Sequence, residues 1–126
     1  MGRSLKLLAP LAVAFALISP AAFATGNAEH GADLFKRCMV CHTSDKGGAN
    51  RIGPNLFGVI GRKSGTLAGY SFSRAMTGAG IVWSQDNLVP YLQAPSKVVA
   101  GTKMTFAGFS DASQAQDVAA YLATLK

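Results

Sequence analysis

The sequence predicts an all-α fold in a single small domain. Apolar residues recur at helical spacing near both ends of the chain, behind residues that cap helices well. No stretch alternates apolar and polar residues over a useful strand length. Between Thr43 and Gly69 no period survives, and glycine recurs at 47, 48, 53, 58, 61, 65 and 69, which is the chemistry of loops.

Residues 1–24 read as a secretory signal peptide. Arg3 and Lys6 form a basic start, and Leu7 to Ile18 is a twelve-residue apolar stretch, short of the roughly 20 residues of a membrane span. Ser19-Pro20 breaks it, and Ala22-Phe23-Ala24 forms an A-x-A cleavage site. Cleavage after Ala24 is expected, with the exported domain at 25–126 in the periplasm. The alternative keeps the segment as an anchor and leaves the chemistry unchanged.

The 102 residues after Ala24 fit one domain. They carry ten Lys/Arg against six Asp/Glu, a formal +4 with no long charge run. For an exported chain that balance favours an acidic protein partner over nucleic acid. Thirteen of the 102 are glycine, about twice the usual ~7%. Such a chain is entropically expensive to order, and a buried apolar group would supply the core it lacks.

Asn27 is a good N-cap, and Ala28 to Cys41 is predicted to be helical, with Leu34 and Phe35 on its apolar face and Met39 one turn further. Gly31 inside it costs about 1 kcal/mol against alanine and predicts the close approach of another backbone. A loop as long as 43–69 is uncommon in a compact domain unless it wraps something. Ser73 to Thr77 is predicted as a short helix ended by Gly78 and Gly80. Ser84 caps a third helix, supported by Asp86 and carrying Leu88, Val89, Tyr91 and Leu92. Pro90 predicts a kink there or a restart, and Ala94-Pro95 ends the segment. Ser110 or Asp111 caps a last helix to about Leu125, with Val118, Tyr121, Leu122 and Leu125 on one face.

The chemistry is concentrated in Cys38-Met39-Val40-Cys41-His42. Cysteines three apart on a helix share a face about one turn (~5.4 Å) apart. Two thiols so placed suit the two vinyl groups of one haem, and the next histidine can turn onto the iron. This is the C-x-x-C-H signature of c-type haem attachment. A structural zinc needs four N/S ligands. The chain's two Cys and two His would all be required, with His30 eight residues before Cys38 on the same predicted helix. A thioredoxin-like pair wants a βαβ setting that is absent. A plain disulfide competes poorly with haem insertion after export.

A second axial ligand could be Met, His, Lys or nothing. His30 shares the cysteines' helix, Met1 lies in the cleaved segment and Met39 lies inside the motif. Met76 and Met104 remain. Met104 sits in Gly101-Thr102-Lys103-Met104-Thr105-Phe106-Ala107-Gly108, a glycine-bounded loop that can bring a thioether to a flat ring more readily than a helix interior can.

Over about Asn27 to Leu125 the chain resembles the class I c-type cytochromes, in the branch of mitochondrial cytochrome c and bacterial cytochrome c2. Beside the haem motif the resemblance rests on Gly53-Pro54-Asn55-Leu56, Gly61-Arg62-Lys63, Trp83, Tyr91-Leu92, Gly101-Thr102-Lys103-Met104 and Phe106-Ala107-Gly108, in that order. It implies a small all-α domain, helices and loops wrapped around one covalent haem c. By resemblance, Cys38 and Cys41 carry the thioether bonds and His42 and Met104 are the axial ligands. Pro54 accepts a hydrogen bond from the His42 ring and Tyr91 lies near the Met104 sulfur. Arg62, Trp83 and Thr102 surround the propionates, and Gly31 and Phe35 pack against Val118 and Tyr121. Four positions depart from the family pattern. Phe72 stands where many relatives have Tyr, and Met76 where they often have Asn. Ala100 replaces a common Pro, and Pro90 falls inside the helix that carries Tyr91.

The resemblance implies a soluble periplasmic electron carrier, not an enzyme, with iron cycling between Fe(III) and Fe(II). Its expected partners are acidic redox proteins of the respiratory chain or photosynthesis: an oxidase, a quinol–cytochrome c reductase or a reaction centre. Arg37, Arg51, Lys97 and Lys103 are the cations expected around the exposed haem edge of a monomer. The alternative is a peroxidase-like or gas-binding protein with an open iron, which needs a distal acid–base residue. His30 is the one spare histidine.

Overall fold

The computed structural model describes residue 2, residues 9–16 and residues 26–126. The cleavage site at Ala24, Arg3 and Lys6 lie outside the described residues, as do both ends of the apolar stretch. Within that stretch Leu11, Val13 and Phe15 are exposed in irregular backbone. Among the described residues, no helix is long and apolar enough to cross a membrane.

Five helices follow: α1 (Ala28–Phe35), α2 (Arg74–Gly78), α3 (Gln85–Gln93), α4 (Pro95–Val98) and α5 (Ala112–Ala123). Among the described residues the backbone is otherwise turns and loops, joined at one point by an isolated bridge between Lys63 and Val82. The prediction of an all-α fold holds, and residues 36–73 form the long central loop.

The caps are those the sequence offers. The Asn27 side chain accepts from the His30 N–H, Ser73 from Met76 and Asp111 from Ser113. Asp111, and not Ser110, therefore opens α5. Ser84 and Asn87 form a reciprocal capping box, satisfying two donors that the first turn of α3 leaves free.

Three boundaries differ from expectation. First, α1 stops at Phe35 and the chain tightens through 36–41. Cys38 N–H donates to Phe35 O at 2.8 Å and Cys41 N–H to Cys38 O at 3.1 Å. The carbonyl of Cys41 then accepts from Gly53 N–H at 2.8 Å, so the chain does not run on as helix beyond the motif. Met39 is thereby turned out, 48% exposed, instead of extending the apolar face.

Second, Pro90 neither ends nor restarts α3, which runs on to Gln93. The carbonyl that its missing N–H would have served belongs to Asp86, an exposed residue. Third, Pro95 does not simply end the segment. It opens α4 at its first helical position, where a fixed φ and no N–H are assets.

The core sits where α1 crosses α5. Phe35, Ala115, Val118, Ala119 and Leu122 are buried there, joined by Leu88, Tyr91 and Leu92 from α3. Phe35 and Tyr121 stack with ring centroids 5.1 Å apart. A Cβ at Gly31 would lie 1.9 Å from the Asp117 carbonyl oxygen, so the glycine allows the two backbones to touch. Asp117 secures the crossing from the other side. It accepts from Asn27 N–H at 2.7 Å and pairs with His30 Nδ1 at 2.6 Å.

Two outcomes follow from this crossing. Helix propensity alone favours Gly31→Ala by about 1 kcal/mol, whereas overpacking against backbone costs about 1–3 kcal/mol. The obstacle is a carbonyl inside α5 that cannot swing away. Gly31→Ala should therefore lower the unfolding free energy by about 2 kcal/mol in a denaturant titration, and a stabilised variant would show that the helices separate easily.

The Asp117 carboxyl is held below its ordinary 3.8 by the Asn27 N–H and then by His30. A depressed folded-state value gives stability that is present above the ordinary value and lost as pH falls through the lower one. Asp117→Asn should thus weaken the protein at pH 7 and flatten the acid limb of its stability curve below about pH 4. An unchanged acid limb would contradict the clamp.

Candidate functional site

A cleft of about 440 Å³ opens among α1, α2, α3, α5 and the loops between them, within the roughly 300–1,000 Å³ of cofactor sites. Its floor is apolar, with Phe35, Leu56, Val59, Leu88, Leu92 and Val118 facing it. Cys38, Cys41, His42, Pro54, Arg62, Trp83, Tyr91, Thr102 and Met104 all line this one cleft, as do Phe72 and Met76. Pro90 and Ala100 are exposed and do not contribute to it.

The histidine side is built from backbone. His42 Nδ1–H donates to Pro54 O at 2.7 Å, which fixes the ring and leaves Nε2 as the free nitrogen. A Cβ on Gly53 would fall 2.4 Å from His42 Cε1, so glycine is required for the ring to lie flat on the loop. Burial lowers the His42 pKa, opposed by the bond to Pro54, a shift in the direction of the neutral imidazole.

Asn55 locks this loop. It is buried, and its Nδ2 donates to Thr43 Oγ1 at 2.7 Å and to Asp45 O at 3.0 Å. Its Oδ1 accepts from Phe57 N–H at 3.1 Å, and its own N–H donates to Asn50 Oδ1 at 2.9 Å. The sequence reading quoted Asn55 in a motif without giving it this work. An Asn following Gly-Pro in a glycine-rich loop was the available signal, since asparagine supplies turn hydrogen bonds in all directions.

Neither cysteine is in a disulfide, and both are part-buried. Burial pushes Cys38 up to about 11, against the pull of Arg37. Across the cleft, Tyr91 Oη–H points at Met104 Sδ, 3.9 Å away, and its pKa is raised by burial and lowered in part by Thr102. Thr102 Oγ1 also accepts from Met104 N–H at 3.3 Å. Trp83 stacks on Tyr91 with centroids 4.8 Å apart.

Arg62 is half-buried, its guanidinium donating to Asn55 O at 3.2 Å. Burial lowers its pKa, and among the described residues no carboxylate pairs with it. An apolar cleft with two thiols, one prepared imidazole, one oriented thioether and a cation lacking an acid fits a haem with its propionates. His30, the spare histidine, stays outside, exposed on α1 and bound to Asp117.

The four predicted docking cations are all exposed, and three have internal partners. Arg37 lies over the Phe109 ring at 5.3 Å and Arg51 donates to Met39 O at 3.3 Å. Lys103 donates to Ser71 O and lies over the Tyr70 ring at 4.7 Å.

Comparison with known proteins points the same way. Residues 28–126 match the family model described as Cytochrome c. The chain is 48% identical over 100 residues to a cytochrome c of Gibberella zeae, covering 79% of this chain and 94% of that one. It is 46% identical over 102 residues to a cytochrome c2 of Rhodopila globiformis, covering 80% and 95%. With a cytochrome c homolog of Rickettsia typhi the identity is 40% over 103 residues, 82% of this chain but only 59% of that longer one. A match running from the first residue of α1 to the last residue of the chain, over a cleft of this chemistry, shows that the chain belongs to the cytochrome c family, with covalent haem c as its cofactor and electron transfer, not catalysis, as its role.

Proposed function

We propose that the chain is a soluble periplasmic one-electron carrier, exported by a signal peptide cleaved after Ala24, with His42 and Met104 as the axial ligands. Cys38 and Cys41 would hold the ring by thioether links, with Arg62, Trp83 and Thr102 toward its propionates. When bound, haem c supplies a one-electron Fe(III)/Fe(II) couple. A His/Met pair favours a high reduction potential, which suits donation to a terminal oxidase or reaction centre after reduction by a quinol–cytochrome c reductase.

The observation that carries the reading is the preparation of both ligands before any cofactor is considered. Pro54 fixes the His42 ring in the right tautomer, and Tyr91 and Thr102 orient Met104. Side chains held in this way need little rearrangement when the charge on the site changes by one, which is what a carrier requires. The first test is spectral. Met104→Ala should abolish the weak far-red charge-transfer band of ferric Met-ligated haem and lower the potential, while Met76→Ala keeps the band. The reverse pattern would assign the ligand to Met76.

Arg37, Arg51, Lys97 and Lys103 support brief electrostatic docking of an acidic redox partner at the haem edge. Such encounters bury under about 1,200 Å², so charge governs on-rate more than affinity. The screening length shrinks from about 8 Å at 0.15 M salt to about 3 Å at 1 M. The second-order rate with an acidic oxidase should fall steeply over that range. Charge reversal at Lys97, whose ammonium has no internal partner among the described contacts, should slow the reaction more than Lys63→Glu. A salt-independent rate, or equal effects of the two reversals, would count against this face.

A further inference from the structure

Three methionines lie among the described residues, and their thioethers are placed differently. Met76 and Met104 are part-buried against the core and line the cleft. Met39 stands outside the cleft lining and is 48% exposed. Its backbone is nevertheless fixed. Met39 N–H donates to Phe35 O at 3.2 Å, and its carbonyl accepts from Arg51 Nη1 at 3.3 Å. These bonds hold the side chain in solvent, between Cys38 and Cys41 of the haem motif.

Met39 has apolar company. Val40 and Ile52 are 68% and 75% exposed, and both line the cleft. The 51–53 segment runs beside the motif, joined to it by Arg51 and by Gly53 N–H on Cys41 O. The Ile52 carbonyl accepts from Tyr70 Oη–H at 2.6 Å, which pins that segment in turn. The result is a small exposed apolar patch, with Arg37 and Arg51 adjoining it in sequence.

A thioether is oxidised at its sulfur, and access to that sulfur sets the rate. Under the reading of Met104 as axial ligand, a lone pair of its sulfur is committed to iron. Met76 is shielded by the apolar wall it belongs to. Met39 keeps both its lone pairs and its solvent. We propose that Met39 is a sulfoxidation site, and that its oxidation by a peroxide makes an apolar contact of the docking face polar and slows electron transfer to the partner. The Met39 sulfur attacks one peroxide oxygen, an S–O bond forms and the O–O bond breaks. Sulfur loses two electrons and the peroxide gains them. The proton on the transferred oxygen passes to the departing hydroxide, which leaves as water.

The effect on docking rests on the reading of the haem edge as the face for an acidic redox partner, whereas the site of oxidation rests on exposure. Arg37 and Arg51 act on such a partner at long range, and Met39, Val40 and Ile52 act at contact. A sulfoxide therefore weakens the encounter complex without altering its electrostatic steering.

The experiment treats the ferric holoprotein with dilute hydrogen peroxide and digests it with trypsin. Met39, Met76 and Met104 then fall on separate peptides, 38–46, 75–97 and 104–126. Met39 should gain one oxygen roughly tenfold faster than either of the others, with the far-red band retained. The singly oxidised protein should react with an acidic oxidase roughly two- to fivefold more slowly, with an unchanged slope against ionic strength. Methionine sulfoxide reductase should restore the rate. Met39→Leu, which keeps the shape and lacks the sulfur, should stay within about twofold of the parent and lose its sensitivity to peroxide.

Oxygen appearing first on Met76 or Met104, or early loss of the far-red band, would overturn the site. An oxidised protein with an unchanged rate, or a Met39→Leu variant slowed by peroxide as much as the parent, would overturn the effect on docking. If the untreated parent reacts at a salt-independent rate, the docking face itself falls and that effect with it, while the peptide masses still decide the site.

Discussion

The hydrogen bond from His42 Nδ1 to the Pro54 carbonyl is the constraint on which the site depends. It requires the loop after the cysteines to return over the imidazole, and that return explains the local sequence. Gly53 has no Cβ because the ring occupies the space. Proline follows, and its carbonyl is the acceptor. Asn55 then gives both side-chain N–H donors, its Oδ1 and its backbone N–H to the same loop, and its carbonyl receives Arg62. A single chain of contacts thus runs from the imidazole to the guanidinium. The glycine-rich loop carries no regular structure, yet side-chain hydrogen bonds tie it at several points.

The rest of the fold serves to hold that loop in place. The α1–α5 crossing sets the distance between the cysteines, which follow α1 directly, and the wall formed by Val118 and Leu122. Gly58 N–H donates to Leu125 O at 2.7 Å, tying the central loop to the end of α5. Stability and function share this crossing, because loosening it would widen the cleft as well as unfold the core. On the opposite side α3 presents Tyr91 from a helix that tolerates Pro90, since the proline ring points to solvent.

Much of this was legible in the sequence. Gly31 within an apolar helix implied a backbone contact, and the contact is with Asp117. Ser73, Ser84 and Asn27 implied helix starts, which occur where expected. The illegible parts share a cause: each is decided by a partner distant in sequence. The return of the central loop onto the motif follows from Gly53 claiming the Cys41 carbonyl. The second short helix at Pro95 follows from burial of that proline. The work of Asn55 and Tyr70 depends on neighbours up to 18 and 33 residues away, and no local period encodes such pairings.

The departures from the family pattern bear on the chemistry in one direction. Phe72 and Met76 line the cleft where relatives often place a hydroxyl and an amide, so the wall loses two dipoles. A less polar lining disfavours extra positive charge on the iron. Arg62 adds to this, being half-buried and without a protein carboxylate among the described residues. Under the proposed ligation, the apolar wall, the cation and the thioether of Met104 all favour the reduced state. Propionates beside Arg62 would offset part of that effect. With no hydroxyl at Phe72, a propionate would rely on Arg62, Trp83 and Thr102 in the proposed reading. Under the proposed ligation the potential would thus be coupled to the Arg62–Asn55–Pro54–His42 chain: the residue that would balance the propionate charge is held by the same loop that aims the imidazole.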